Sequence, residues 1–157
     1  MMTPETKAEV LAAVAKWRPR LKLMEWAIGY EWEAEGVVIA DCIQDGKRKR
    51  AVLRFAPDFL TIPKDTALGK WMTVEKAIVH ELCHLVYSPL YTEAIDAVAT
   101  ARVGAEAERQ INERLDDANE EVAEFLAKLF WEVYEKLAWD DRYYETEKLP
   151  GRGKQVE

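Results

Sequence analysis

The two histidines of the chain, His80 and His84, stand four residues apart, and Glu81 directly follows the first. In a helix, side chains at this spacing leave the same face, so both imidazoles can bind one metal ion. The carboxylate of Glu81 would then reach a metal-bound water and take its proton. The spacing therefore predicts a metal site with a general base beside it.

The segment Thr73–Ser88, which contains these residues, is predicted to be a helix. Thr73 is a suitable N-cap, Glu75 places a negative charge in the first turn, and Pro89 is expected to end the helix. Apolar residues recur between these ends at helical spacing: Val74, Ala77, Ile78, Leu82, Leu85 and Val86. Because buried imidazoles without a partner lose solvation free energy, a bound metal explains the histidines better than a chance pairing on a polar face.

The third metal ligand has to be an Asp, a Glu or a Cys, because a catalytic zinc usually has three protein ligands and a water. We expect Glu120, since Glu120 and Glu124 are one helical turn apart and would repel each other unless one bound a cation. Glu124 would then accept a hydrogen bond from a ligand histidine. The alternative is a solvated acidic face on which Glu124 pairs with Lys128. Glu121 and Glu113 remain substitutes for the third ligand.

These two motifs resemble those of the gluzincin metallopeptidases, the thermolysin-like branch of the zincins. The residues concerned are His80-Glu81-Leu82-Cys83-His84 and, downstream, Asn119-Glu120-Glu121-Val122-Ala123-Glu124. The resemblance implies one zinc per chain, with His80, His84 and Glu120 as ligands and Glu81 as the general base. It also places Glu124, which is one methylene longer, where the family has an Asp that orients a ligand histidine. In its compactness the chain is similar to small zincin-like proteins of phages and other mobile elements.

The activity implied by the resemblance is hydrolysis of peptide bonds in a protein or peptide substrate. The oxyanion that develops during attack needs a donor besides the metal. Tyrosines are candidates for that donor: Tyr87, Tyr91, Tyr143 and Tyr144. By the same resemblance, an extended substrate would pair with the strand Arg50–Phe55. Two other hypotheses are a zincin-shaped binding or regulatory protein without useful peptidase activity, and a metal-free helical interaction module.

The order of the predicted elements, a helix, then strands, then helices, predicts an α+β fold in one domain over residues 1–145. A polar tail is expected to follow at 146–157. An amphipathic helix is expected from Pro4 to about Trp17, ending before Pro19. Three strands are expected to form a small antiparallel sheet: Trp26–Trp32, Val37–Ile43 and Arg50–Phe55, the last two joined by the turn Asp45-Gly46. Further helices are expected at about 93–101 and 105–139, with Gly104 as the break between them.

The composition is that of a single globular domain, with 157 residues, 49% hydrophobic and 32% charged. The formal charge of −7 argues against a nucleic acid or an anionic membrane as the main partner. The basic run Lys47–Arg50 is interpreted as a solvated shoulder of a hairpin. No apolar stretch has the length of a membrane span. Cys42 and Cys83 do not form a disulfide framework, so a cytoplasmic protein is expected. The oligomeric state is left open.

Overall fold

The computed structural model of the chain describes residues 2–37, 39–57, 59 and 73–136. In chain order, its elements are α1 (Pro4–Arg20), β1 (Ala27–Trp32), β2 (Ala40–Asp45), β3 (Arg50–Phe55), α2 (Val74–Thr100) and α3 (Ala105–Lys136). One helix, three strands and then two long helices confirm the predicted α+β fold. The predicted tail at 146–157 and the two tyrosines Tyr143 and Tyr144 lie outside the described residues.

The sheet has the order β1-β3-β2, with β3 parallel to β1 and antiparallel to β2. The prediction of an all-antiparallel sheet is therefore wrong for one of the two pairings. The Asp45-Gly46 turn joins β2 to β3 as predicted, but β3 then takes the place between the other two strands. Strand β3 lies at the centre of the sheet, with a paired strand on each side. This position suits its apolar residues, because Leu53 and Phe55 are fully buried there.

The order of the strands also decides which of the three described strands lie at the edges of the sheet. Both sides of Arg50–Phe55 are paired in the ladder, so the expectation that a substrate pairs with this strand is wrong. The outer strands are β1 and β2. The latter spans Ala40–Asp45, shifted toward the C-terminus from the predicted Val37–Ile43.

Helix α1 begins where Thr3 accepts a hydrogen bond from the Thr6 backbone nitrogen, with Pro4 in its first turn. The helix runs through Pro19 to Arg20, three residues beyond the predicted end. The guanidinium of Arg18 donates to backbone carbonyls of the segment that follows: those of Leu23, Met24 and Trp26, at 3.1, 2.9 and 2.5 Å. These bonds fasten the end of α1 to the start of the sheet.

Helix α2 starts at the predicted N-cap, because the Thr73 side chain accepts from the Lys76 backbone nitrogen at 3.2 Å. The predicted end at Pro89 is wrong, since α2 continues through this residue to Thr100. Proline removes one backbone hydrogen bond from a helix. In α2, contacts of the residues before and after Pro89 outweigh this local loss. Before it, Ser88 is buried in the core, and after it, Tyr91 forms a hydrogen bond to α3.

The break predicted at Gly104 is confirmed, because residues 101–104 connect α2 to α3. The hydrophobic core lies between the inner face of the sheet, α1, α2 and part of α3. Its members include Val10, Val14, Trp17, Leu53, Phe55, Ile78, Leu82, Leu85, Ala123 and Ala127. Within the described ranges, no helix combines the length and the apolar character needed to cross a membrane.

The β2–β3 turn lies directly against α2. Its basic residues pair with nearby acids: Lys47 with Asp96, Arg48 with Asp45 and Lys49 with Glu25. A Cβ atom added at Gly46 would lie 2.7 Å from both the Ser88 Oγ and the Thr92 Oγ1, which is too close for either contact. Gly46 therefore sets how closely the hairpin can approach the helix that carries the histidines.

We expect Gly46→Ala to lower the free energy of unfolding by about 1–3 kcal/mol, because the added methyl group overpacks this contact. Chemical denaturation measures the change. Gly104→Ala is the matched control, since a Cβ at that position meets no atom of the described chain within 4 Å. Equal losses from the two substitutions would contradict the close approach at Gly46.

Candidate metal centre

The structure brings together the three side chains expected to bind a metal. The Nε2 atom of His80 lies 3.4 Å from one carboxylate oxygen of Glu120, and the Nε2 atom of His84 lies 3.5 Å from the other. All three potential ligand atoms lie within 4.8 Å of one another. The two imidazole rings are nearly perpendicular, with centroids 5.1 Å apart. Helix α2 supplies both histidines, and α3 supplies the carboxylate.

These separations are close to those around a bound metal ion. Zinc bonds of about 2.0–2.1 Å in tetrahedral geometry place two ligand atoms about 3.3 Å apart. The two N···O distances of 3.4 and 3.5 Å, each to a different oxygen of Glu120, lie near that spacing and exceed the usual length of an N–H···O hydrogen bond. Two imidazole nitrogens and one carboxylate oxygen are also a donor set found in catalytic zinc sites.

The alternatives for the third ligand do not share this position. Glu113 pairs with Arg109 at 2.5 Å. Glu121 is exposed and belongs to no ligand group in the described part of the chain, where His80, His84 and Glu120 are the group that converges.

The candidate centre is buried on one side and open on the other. The side chain of His84 is 6% exposed and that of His80 is 21% exposed, whereas that of Glu120 is 65% exposed. A catalytic zinc needs a coordination position for water or substrate, while structural zinc sites are closed by four protein ligands. The open side of this group is therefore suited to catalysis.

The state of the His84 ring favours metal binding. Burial lowers the pKa of this imidazole, and the nearby His80 lowers it further, while the carboxylate of Glu120 opposes them. A histidine must be neutral to bind a metal. The environment of His84 therefore favours the form that coordinates.

Glu81 is buried beside this group, at the N-terminal end of the turn between the two histidines. Burial raises the pKa of its carboxyl to about 8, and the negative charges of Glu120 and Asp41 add to the shift. A metal cation at the centre would favour the ionised form instead. Burial and a cation thus shift the pKa of Glu81 in opposite directions. A carboxyl in such surroundings is suited to taking up and releasing a proton near neutral pH.

Asp41 is a neighbour of the centre that the sequence did not indicate. It lies on β2, where Arg54 donates to it at 2.8 and 2.5 Å, and its charge acts on Glu81. Nothing local in the sequence of β2 marks it as close to α2, because the contact depends on the strand order.

Both cysteines lie near Glu81. Burial is the main cause that raises the pKa of the Cys42 thiol, and it raises the pKa of Cys83 to about 12. In the metal-free protein both thiols are therefore protonated at neutral pH. Neither cysteine belongs to the group of ligand atoms that converges in the described residues, which consists of His80, His84 and Glu120.

The residue expected to orient a histidine, Glu124, has a different partner. Its carboxylate accepts a hydrogen bond from Lys128, which lowers the pKa of this exposed carboxyl. This is the pairing that the sequence offered as the alternative for Glu124.

The two described tyrosines from the set of oxyanion donors have their hydroxyl groups engaged between α2 and α3. The hydroxyl of Tyr87 donates to the backbone carbonyl of Asn119 and lies 3.2 Å from the Nδ1 atom of His84. The hydroxyl of Tyr91 donates to the Asp116 carboxylate. Burial raises the pKa of both phenols, that of Tyr91 to about 12, so both hydroxyls keep their protons at neutral pH.

The burial of Glu81 predicts how the metal-free protein depends on pH. A carboxyl whose pKa is higher in the folded state, about 8 against 4.5, contributes stability at low pH that is lost as the pH rises. Between pH 5 and pH 8, this loss should be on the order of 3 kcal/mol. Glu81→Gln removes the ionisation, so the stability of the chelator-treated variant should fall less over the same interval.

Chemical denaturation of both metal-free proteins at pH 5 and pH 8 measures this difference. The variant keeps His84, whose lowered pKa acts in the opposite direction, so the comparison isolates Glu81. Parallel stability profiles for the two proteins would mean that the carboxyl is not desolvated.

Comparison with protein-family models, curated proteins and solved structures finds no match to this chain. The resemblance to gluzincins therefore rests on the two short motifs. The functional argument rests on the geometry of His80, His84 and Glu120 and on the burial of Glu81 beside them.

Proposed function

We propose that this protein is a zinc-dependent peptidase in which Glu81 is the general base. The observation that carries the proposal is the convergence of two imidazole nitrogens and one carboxylate, at 3.4 and 3.5 Å, beside a buried carboxyl group. When bound, zinc would polarise a peptide carbonyl and lower the pKa of a water molecule. His80, His84 and Glu120 would hold the ion, one ion per chain.

Glu81 supplies the proton transfers of the proposed reaction. Its carboxylate takes a proton from the attacking water and later passes it to the leaving amine. The side chain is only 6% exposed, so bulk water has little access to its carboxyl group. A site that only stabilised the fold would not require a carboxyl group at this position, where ionisation is unfavourable without a cation.

The proposed substrate is a protein or peptide segment in extended conformation. Strand β2 is an outer strand of the sheet, and among the described residues one of its edges has no ladder partner. Cys42 and Asp41 of this strand both interact electrostatically with Glu81, which places β2 beside the candidate centre. An extended peptide that paired with β2 would gain backbone hydrogen bonds there.

The proposed setting is the cytoplasm, and neither a nucleic acid nor a membrane is a proposed partner. Cys42 and Cys83 are both free thiols, the condition expected of a protein in a reducing compartment. The formal charge of −7 disfavours phosphate backbones.

The general-base role predicts a separation between metal binding and hydrolysis. Wild-type protein purified without chelator should carry about one zinc per chain, and the His80→Ala and His84→Ala variants should lose it. Glu81→Gln should retain the zinc while hydrolysis falls by about 10²–10⁴-fold. Metal analysis and a proteome-wide cleavage screen, with Glu81→Gln as the blank, measure the two effects. Zinc without any cleavage by the wild type would favour the binding-protein hypothesis instead.

The third ligand is tested by comparing neighbours on α3. Glu120→Ala should weaken zinc binding by more than the ~10–100-fold typical of losing a hydrogen-bonded partner of a ligand. Glu121→Ala and Glu113→Ala remove carboxylates of the same helix and should leave the affinity near that of the wild type. Competition with a chelator of known affinity measures the zinc affinity. A larger loss in either control would move the ligand assignment away from Glu120.

A further inference from the structure

The hydroxyl group of Tyr87 links one metal ligand to the helix that carries another. Its oxygen lies 3.2 Å from the Nδ1 atom of His84, and it donates to the backbone carbonyl of Asn119. Asn119 directly precedes Glu120. One hydroxyl therefore contacts the ring of the second histidine and the α3 backbone beside the third ligand.

The direction of these two hydrogen bonds follows from the number of protons available. A tyrosine hydroxyl has one proton, and a backbone carbonyl can only accept. The proton of Tyr87 is thus directed to Asn119, and its oxygen is left to accept from His84. The Nδ1 atom must then carry the hydrogen of the neutral imidazole, which leaves the lone pair on Nε2. It is Nε2 that lies 3.5 Å from Glu120.

The side chain of Asn119 is another acceptor near His84, and a hydrogen bond from the ring to this side chain would raise the pKa of the ring. Within the described residues, however, the buried Oδ1 atom of Asn119 has no partner at hydrogen-bond distance and angle. The Tyr87 hydroxyl lies within hydrogen-bond distance of Nδ1, so geometry favours the tyrosine as the acceptor.

From this geometry we infer that Tyr87 is a positioning residue, which fixes the orientation and tautomer of His84 through a chain from Nδ1 to the Asn119 carbonyl. The inference rests on the proposed zinc centre for its functional meaning. Partners of this kind raise the affinity of a ligand histidine by holding its ring in the orientation that coordination requires. The role differs from the oxyanion donor that the sequence suggested for Tyr87, because it acts through His84 and before any substrate binds.

Tyr91 provides a matched control within the same pair of helices. It lies one turn further along α2, and its hydroxyl also forms a hydrogen bond to α3, through Asp116. In the described chain, the hydrogen bond of this hydroxyl runs to a carboxylate and not to an imidazole. Removing either hydroxyl deletes one link between α2 and α3, but only Tyr87→Phe deletes a contact to a metal ligand.

The first test compares zinc affinities of the wild type, Tyr87→Phe and Tyr91→Phe by chelator competition. We expect Tyr87→Phe to weaken zinc binding by about 10–100-fold and Tyr91→Phe to leave it near that of the wild type. The free energy of unfolding of the metal-free variants, measured in parallel, reports the purely structural loss. If both variants bind zinc equally well, Tyr87 only links the helices, and the inference is wrong.

The second test observes the tautomer directly and needs no substitution. The chain has two histidines, so long-range ¹H–¹⁵N spectra contain signals from two imidazole rings, and His80→Ala identifies the one from His84. We expect the Nδ1-protonated form of His84 in the metal-free wild type, and zinc on Nε2 after loading. A wild-type ring protonated on Nε2 would overturn the inference, even if Tyr87→Phe did not fold.

The two tests separate this inference from the proposed function. A wild type that binds no zinc would contradict the peptidase proposal, while the tautomer of the metal-free protein would still decide whether Tyr87 holds the ring. If the wild type binds zinc and Tyr87→Phe binds it with the same affinity, only the positioning role of Tyr87 would be contradicted.

Discussion

The rotation of helix α2 about its own axis is the constraint on which the candidate centre depends. Ile78, Leu82 and Leu85 recur at helical spacing and are fully buried, so they fix which face of α2 meets the core. His80 and His84 lie on another face, toward α3, because each residue turns the helix by about 100°. A one-residue rotation would turn Ile78, Leu82 and Leu85 away from the core. The packing of the core therefore determines that both imidazoles are directed toward α3.

The same packing places Glu81 on the buried side, which has an electrostatic consequence. A carboxyl group there has a raised pKa, because desolvation and the charges of Glu120 and Asp41 all oppose its ionisation. A divalent cation between the imidazoles reverses the sign of the nearby charge. Metal binding and ionisation of Glu81 thus favour each other, and the buried position couples the base to the presence of the ion.

Sequence patterns predicted the features that depend on local interactions. The N-cap at Thr73 and the spacing of the histidine pair are set within one or two helical turns. The continuation of α2 through Pro89 was not predictable, because distant contacts outweigh the local effect of a proline. The pairing of β1 with β3 depends on contacts between separate segments. Glu120 was predicted because a catalytic zinc usually has three protein ligands and the chain has only two histidines. The contact of Tyr87 with Asn119 was not predictable, because it depends on how α2 and α3 are aligned, which no local sequence pattern specifies.

Helix α3 is held to the rest of the protein by few large buried side chains. Its fully buried apolar residues in the described range are Ala123 and Ala127, both small, and larger neighbours such as Phe130 are only partly buried. A metal ion bound by His84 and Glu120 would act on this helix as a reversible cross-link, which closes the intervening chain much as a disulfide does. Occupancy of the ion and docking of α3 then form one linked equilibrium, in which sequestration of the ion by a competitor loosens the helix.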